Sequence, residues 1–146
     1  MESNQLSNKL LEILKDLTPS VVATAKDNKP YTTFITWLTA VNPQKIRFAV
    51  NKGSKTYNNL KENPYASVEV FGEGIASSIS GKTQLIKEEI EGLSFPVSVF
   101  ELNVEKVVDN LFPGGNIKGS IPFEHTGDIS KAKELDEIVL KALKET

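Results

Sequence analysis

The segment from Pro30 to Gly72 constrains the fold of this chain more than any other, because extended and helical signals alternate along it. Residues 31–41 (YTTFITWLTAV) and 45–51 (KIRFAVN) are rich in aromatic and β-branched side chains, which favour pleated strands. The intervening Asn42-Pro43-Gln44 has the composition of a tight turn. These residues therefore predict a long strand over 31–41 that turns back into a second strand.

A short helix and another strand follow this pair. Ser54 has the residue type of an N-cap, and Asn63-Pro64 carries the signal that ends a helix. Residues 65–71 alternate apolar and polar side chains, as a half-buried strand does. The whole segment is thus predicted to run strand, turn, strand, helix, strand.

The rest of the chain adds strands and a helix at each end. Residues 20–26 read as a short strand, Gly72-Glu73-Gly74 favours a hairpin turn, and Pro96 to Val108 contains another strand. Leucines at helical spacing after residue 5 predict an N-terminal helix capped by Ser3 or Asn4 and ended by Pro19. Residues 130–146 predict a C-terminal helix. The prediction is a mainly β fold: an antiparallel β-barrel of about six strands with N-terminal and C-terminal helices.

Composition excludes several classes of function. The chain has 146 residues, no cysteine and one histidine, which excludes thiolate chemistry and a histidine-rich metal site. A net charge of −2 favours neither nucleic acid nor an anionic membrane as a partner. The N-terminus does not resemble a signal peptide, so the expected location is the cytoplasm.

A basic cluster rich in hydroxyl groups marks the point where the second strand of the segment meets the helix. Lys52, Ser54, Lys55 and Thr56 offer ammonium groups and hydroxyls beside the free amides of a helix start, which is the donor set that a phosphate requires. A solvated lysine-rich turn with Ser54 as a simple cap is the alternative interpretation. The aromatic residues nearby, Trp37 among them, likewise have core or interface packing as their ordinary role.

The order of these motifs resembles the flavin-binding split barrels of the pyridoxamine 5'-phosphate oxidase-like superfamily. NKGSKT at residues 51–56, ENP before YASV at 62–68, the opening hairpin at 20–37 and GIASSISGKTQLIKEE at 74–89 are similar to that family's pattern. The resemblance covers about residues 6–108. It implies a single FMN-binding split-barrel domain over residues 1–146, and a homodimer that holds the cofactor between its subunits.

The resemblance also implies roles for individual residues. Thr33 to Thr36 would follow the edge of the isoalloxazine ring, while Trp37 would shield a ring face or lie in the subunit contact. The residues that would face the ribityl phosphate are Asn51, Ser54, Lys55 and Thr56. The implied cofactor-binding residues are Thr33, Phe34, Ile35, Thr36, Trp37, Asn51, Lys52, Ser54, Lys55 and Thr56.

Departures from the family pattern bear on the reaction. Thr33 and Leu38 stand where true pyridoxamine-phosphate oxidases carry an arginine and a lysine, and Lys55-Thr56 stands in place of their Arg-Lys pair. No arginine follows Arg47. Synthesis of pyridoxal phosphate is therefore not expected.

The expected function is that of an FMN-dependent oxidoreductase that takes electrons from NADH or NADPH and passes them to an unidentified acceptor. One alternative is a binding module that holds a flavin, a deazaflavin or haem without turnover, and another is a structural dimer that has lost its ligand. No catalytic residue and no metal ligand is assigned. His125 is expected to be structural or exposed, and the loop from Gly114 to Gly119 is expected to turn the chain rather than cover a ligand.

Overall fold

A computed structural model describes residues 2–145 and confirms the mainly β fold with helices near both ends. The elements in chain order are β1 (Glu2–Ser3), α1 (Asn8–Ile13), β2 (Ser20–Lys26), β3 (Lys29–Ile35), β4 (Leu38–Asn42), β5 (Lys45–Asn51), α2 (Lys55–Glu62), β6 (Tyr65–Gly72), β7 (Ile75–Lys87), β8 (Val97–Asp109) and α3 (Ile129–Glu145). None of the helices in residues 2–145 has the length and apolar character that crossing a membrane requires.

All strands belong to one antiparallel sheet with the order β3-β2-β6-β7-β8-β5-β4, and β1 adds to β8. A flat sheet with these seven strands in a row would separate its two edges by about 29 Å, because neighbouring strands lie about 4.8 Å apart. The edge strands β3 and β4 are nevertheless joined by Thr36 and Trp37 alone, which reach only on the order of 10 Å. The sheet must therefore roll up until its edges meet at this junction.

The junction corrects the prediction of one long strand over residues 31–41. The chain leaves the ladder at Thr36 and Trp37, where the Leu38 N–H donates to the Thr36 carbonyl (3.1 Å). Composition favours an extended strand throughout, but closure of the barrel requires the chain to pass from one sheet edge to the other. Together with the short β1, this break gives an eight-stranded sheet instead of about six strands.

The barrel interior and the outer face of β5 and β8 are buried against different helices. Phe48 and Phe100 stack inside the barrel with centroids 5.9 Å apart, and Tyr57 of α2 meets Phe100 edge-on at 5.8 Å. On the outer face, Val97 and Val99 belong to a second apolar cluster with Val139 and Leu143 of α3. Tyr57 thus fixes α2 to the barrel, and α3 covers the opposite side of β8.

The N-terminal helix is shorter than predicted. Ser7, rather than Ser3 or Asn4, is the N-cap, and its side-chain oxygen accepts from the Leu10 N–H (3.2 Å). The helix ends at Ile13, well before Pro19. The Leu14 carbonyl accepts hydrogen bonds from Thr39 Oγ1 (2.6 Å) and the Ala40 N–H (2.8 Å). In a longer helix this carbonyl would accept from an amide of the next helical turn, but here β4 provides its donors.

Candidate functional site

A cavity of about 320 Å³ opens at the closure point of the barrel, between the β3–β4 junction and the start of α2. Its volume lies within the range of about 300–1,000 Å³ that is typical of ligand sites. The residues lining it are Tyr31, Thr33, Phe34, Ile35, Thr36, Trp37, Ala49, Val50, Asn51, Ser54, Lys55 and Thr56.

The structure brings together all the residues that the sequence analysis assigned to a cofactor, with one exception. Lys52 does not line the cavity. Its ammonium group pairs instead with Glu88 (3.5 Å) and Glu89 (3.9 Å), which the sequence analysis had not placed next to it. The Tyr57 hydroxyl donates to Glu88 (2.7 Å), and this bond lowers the pKa of the Glu88 carboxyl, so the partner of Lys52 keeps its charge.

One end of the cavity has the donors for an anion. Ser54 caps α2 by accepting from the Tyr57 N–H (3.2 Å), as predicted. The amides of Lys55 and Thr56 lie in the first helical turn, where the helix itself provides no acceptor. Because the partial positive charge of the helix dipole adds to the Lys55 ammonium, this end favours a phosphate.

The other end of the cavity is the free edge of a strand. β3 pairs only with β2, so its outer edge is paired with no strand among residues 2–145. Main-chain N–H and C=O groups along that edge are available to a ligand in the way that an edge strand offers them to another strand. Thr33 and Thr36 add hydroxyl groups there that make no side-chain hydrogen bond within the described chain. This end suits a flat ring with alternating donors and acceptors.

Aromatic side chains border the cavity. The Lys55 ammonium lies 4.8 Å from the centroid of the Tyr31 ring, a cation–π contact that holds the lysine beside the opening. Phe34 is 48% exposed although it is a large apolar residue. Trp37 stacks on Phe95 with centroids 6.5 Å apart, and its indole N–H donates to Asp136 Oδ1 of α3 (2.8 Å). Trp37 therefore lines the cavity and also binds α3 through Asp136.

Replacing Trp37 by phenylalanine is expected to lower the free energy of unfolding by about 1 kcal/mol, because the ring packing remains while one hydrogen bond is lost. Urea denaturation of Trp37→Phe, Asp136→Ala and the double variant measures the coupling between the two side chains. Strictly additive effects would show that the bond to Asp136 does not stabilise the docked α3.

Three lining residues were missed by the sequence analysis. Ala49 and Val50 carry no chemical signal, since they are ordinary strand residues. Tyr31 begins the same alternation as Thr33 and Ile35, so the spacing of side chains on one strand could have identified it. Among residues 2–145 no aspartate, glutamate or histidine lines the cavity, and its titratable lining residues are Tyr31 and Lys55.

His125 and the glycine loop lie outside this cavity. His125 is half-buried, and its Nε2 lies 2.8 Å from Asp136 Oδ2. The chain turns at Pro113 and Gly114, where Gly114 adopts a φ of +94°, which agrees with the predicted turn. Within residues 2–145 no three His, Asp or Glu side chains are grouped as a metal site requires.

Solved structures with this fold come from several bacteria. A candidate pyridoxamine 5'-phosphate oxidase of Lactobacillus delbrueckii is 16% identical with a TM-score of 0.61, and the match covers 73% of this chain and 95% of that one. An FAD-binding protein of Mesorhizobium loti is 15% identical with a TM-score of 0.56, covering 73% and 95%. An FMN-binding protein of Syntrophomonas wolfei is 18% identical with a TM-score of 0.53, covering 71% and 88%. At these identities the matches show a shared fold.

The assignment of this chain to a family rests on a sequence match rather than on these structures. Residues 6–109 match the family described as pyridoxamine 5'-phosphate oxidase, a span that includes β2 to β8 and every residue of the cavity. It agrees with the span of the resemblance that the motifs predicted. This chain belongs to the pyridoxamine 5'-phosphate oxidase family and has its split-barrel fold.

Proposed function

We propose that the chain binds FMN in the cavity at the barrel closure and acts as a small oxidoreductase. The proposal rests on the observation that one cavity has two chemically different ends. The start of α2 with Lys55 suits a phosphate, and the free edge of β3 suits the heteroatoms of a flat ring. The flavin-binding proteins of Mesorhizobium loti and Syntrophomonas wolfei share this fold, which supports a flavin as the ligand.

Each group of residues has a part in this proposal. Lys55, Ser54 and the first amides of α2 would hold the phosphate, and Asn51 beside them would hydrogen-bond the ribityl chain. The backbone of Thr33 to Thr36 would orient the ring, while Ala49 and Val50 provide an apolar floor that excludes water. FMN, when bound, supplies the hydride-accepting chemistry, so turnover does not require a carboxylate or an imidazole in the lining.

A second copy of the chain would complete the site. Phe34 lines the cavity and yet is about half exposed, and Phe123, also half exposed, packs against it with a centroid distance of 5.9 Å. Large apolar surface beside a ligand site favours a protein partner. We propose a homodimer on this face.

Sedimentation equilibrium is expected to give twice the chain mass for the unchanged protein. The double variant Phe34→Asp with Phe123→Asp is expected to give the mass of one chain.

Reduction by a nicotinamide separates an enzyme from a binding module. The FMN-loaded protein is mixed with NADH or NADPH without oxygen, and the loss of the oxidised flavin band is followed. We expect bleaching that saturates with nicotinamide concentration and is faster than that of free FMN at the same concentration. Binding of FMN without accelerated bleaching by either nucleotide would instead support a carrier or sensor.

Haem is an alternative ligand for such a module. An axial imidazole is a common haem ligand, but His125, the chain's one histidine, does not line this cavity. Its Nε2 is also engaged by Asp136. The geometry therefore favours a flavin over haem at this site.

A further inference from the structure

A second cavity, of about 460 Å³, adjoins the proposed cofactor site, and Thr36 lines both. The segment after α1, from Leu17 to Pro19, forms one wall of it. The other wall consists of Ser120, Ile121, Phe123, Glu124 and His125, together with Asp136 of α3. This second wall lies beyond residues 6–109, the part of the chain that the family match covers.

A hydrogen-bonded chain of three side chains connects the two cavities. Asp136 accepts from the Trp37 indole N–H through Oδ1 (2.8 Å) and contacts His125 Nε2 through Oδ2 (2.8 Å). An ionised carboxylate can only accept, so the proton of a neutral His125 ring belongs on Nε2. His125 Nδ1 is then an acceptor, and it makes no hydrogen bond within residues 2–145. Trp37 lines the cofactor cavity, while Asp136 and His125 line the second one.

The charge and shape of the second cavity limit what it can bind. Its titratable lining residues are Glu124, His125 and Asp136, and no lysine or arginine among residues 2–145 lines it. An anionic ligand would meet two carboxylates with no cation to offset them. Phe123 packs edge-on against His125 with a centroid distance of 5.3 Å, which provides an aromatic wall.

We infer that the second cavity is the binding site for a small neutral or cationic aromatic molecule beside the cofactor, with His125 Nδ1 as its hydrogen-bond acceptor. Asp136 and Trp37 act as positioning residues that hold the imidazole. The inference rests on the proposed function, since it treats the first cavity as the flavin site. It names a class of ligand that differs from the phosphorylated substrate of the family's name.

Three ligands with one ring and different charges test this inference. Nicotinamide is neutral, 1-methylnicotinamide is a cation and nicotinate is an anion, and each is titrated at fixed pH into the FMN-loaded protein. Because the chain has one histidine and one tryptophan, the NMR signals of the His125 ring and the Trp37 indole are assigned without ambiguity. We expect the first two ligands to shift the His125 signals saturably, and nicotinate to bind at least about tenfold more weakly.

Two variants and one matched control test the role of His125 and the charge preference of the cavity. His125→Ala, followed through the Trp37 indole signal, is expected to weaken nicotinamide binding roughly 2- to 10-fold, as the loss of one hydrogen bond does. Thr126→Ala, an exposed neighbour outside the lining, is the matched control and should change nothing. Glu124→Lys, also at an exposed position, should reverse the charge preference so that nicotinate binds more tightly than 1-methylnicotinamide.

Flavin fluorescence measured in parallel separates the two proposals. If FMN binds but none of the three ligands moves the His125 signals, or if nicotinate binds as tightly as nicotinamide, the second cavity is not this site. If FMN does not bind, the proposed function fails on its own, whatever the ligands do at His125.

Discussion

Lys55→Glu is expected to weaken FMN binding by at least about 100-fold. Losing a charge-assisted hydrogen bond to the phosphate costs about 1.5–3 kcal/mol, and the new carboxylate adds repulsion at the same position. The Lys55 side chain is exposed and its described contact is with the Tyr31 ring, so the fold should tolerate the change. Flavin fluorescence titration of the purified variant measures the loss.

Lys61→Glu is the matched control for this charge reversal. Lys61 lies on the same helix and is exposed, but it does not line the cavity. The net charge of the protein changes equally in both variants, so a general electrostatic effect would weaken FMN binding equally. Equal losses would contradict the assignment of Lys55 to the phosphate.

Phe100→Ala is expected to lower the free energy of unfolding by about 3–5 kcal/mol, the usual cost of deleting a buried aromatic ring. The Phe100 side chain is 2% exposed and lies between Phe48 of β5 and Tyr57 of α2. The cavity left by the ring would therefore loosen both the barrel core and the helix that presents Lys55. Urea denaturation followed by circular dichroism measures the change.

Phe112→Ala is the control for loss of a phenylalanine at an exposed position. Its side chain is 69% exposed, so its removal should change the free energy of unfolding by less than about 0.5 kcal/mol. Similar losses for Phe100→Ala and Phe112→Ala would contradict the core described for the barrel.

The sequence predicted those parts of the fold and site that depend on neighbours along the chain. Ser54 was predicted as the cap of a helix ending at Asn63, and α2 has these limits. Apart from Tyr31, the cavity residues of β3 and α2 were predicted through the order of motifs, because family members share local patterns even at low identity. Lys55 could be placed at the helix start by its position immediately after the cap.

What the sequence did not predict depends on contacts between distant residues. The break at Thr36 and Trp37 follows from closure of the barrel. Closure depends on the order of all the strands, so it cannot be predicted from the composition of residues 31–41. Lys52 and Lys55 are lysines of the same basic cluster, so the sequence does not distinguish their roles. The ammonium group of Lys52 forms ion pairs with Glu88 and Glu89, which lie far along the chain. The bond between Trp37 and Asp136 joins residues 99 positions apart, so no local pattern predicts it or the second cavity beside it.

The central claim is that the cavity at the barrel closure holds FMN. Titration of FMN into the purified, ligand-free protein, followed by the NMR signal of the Trp37 indole N–H, tests it most directly, because Trp37 lines the cavity and is the chain's one tryptophan. We predict a saturable shift of that signal with quenching of the flavin fluorescence, both strongly reduced in Lys55→Glu. A Trp37 signal that does not respond to FMN, or a response that Lys55→Glu leaves unchanged, would contradict the assignment of the site.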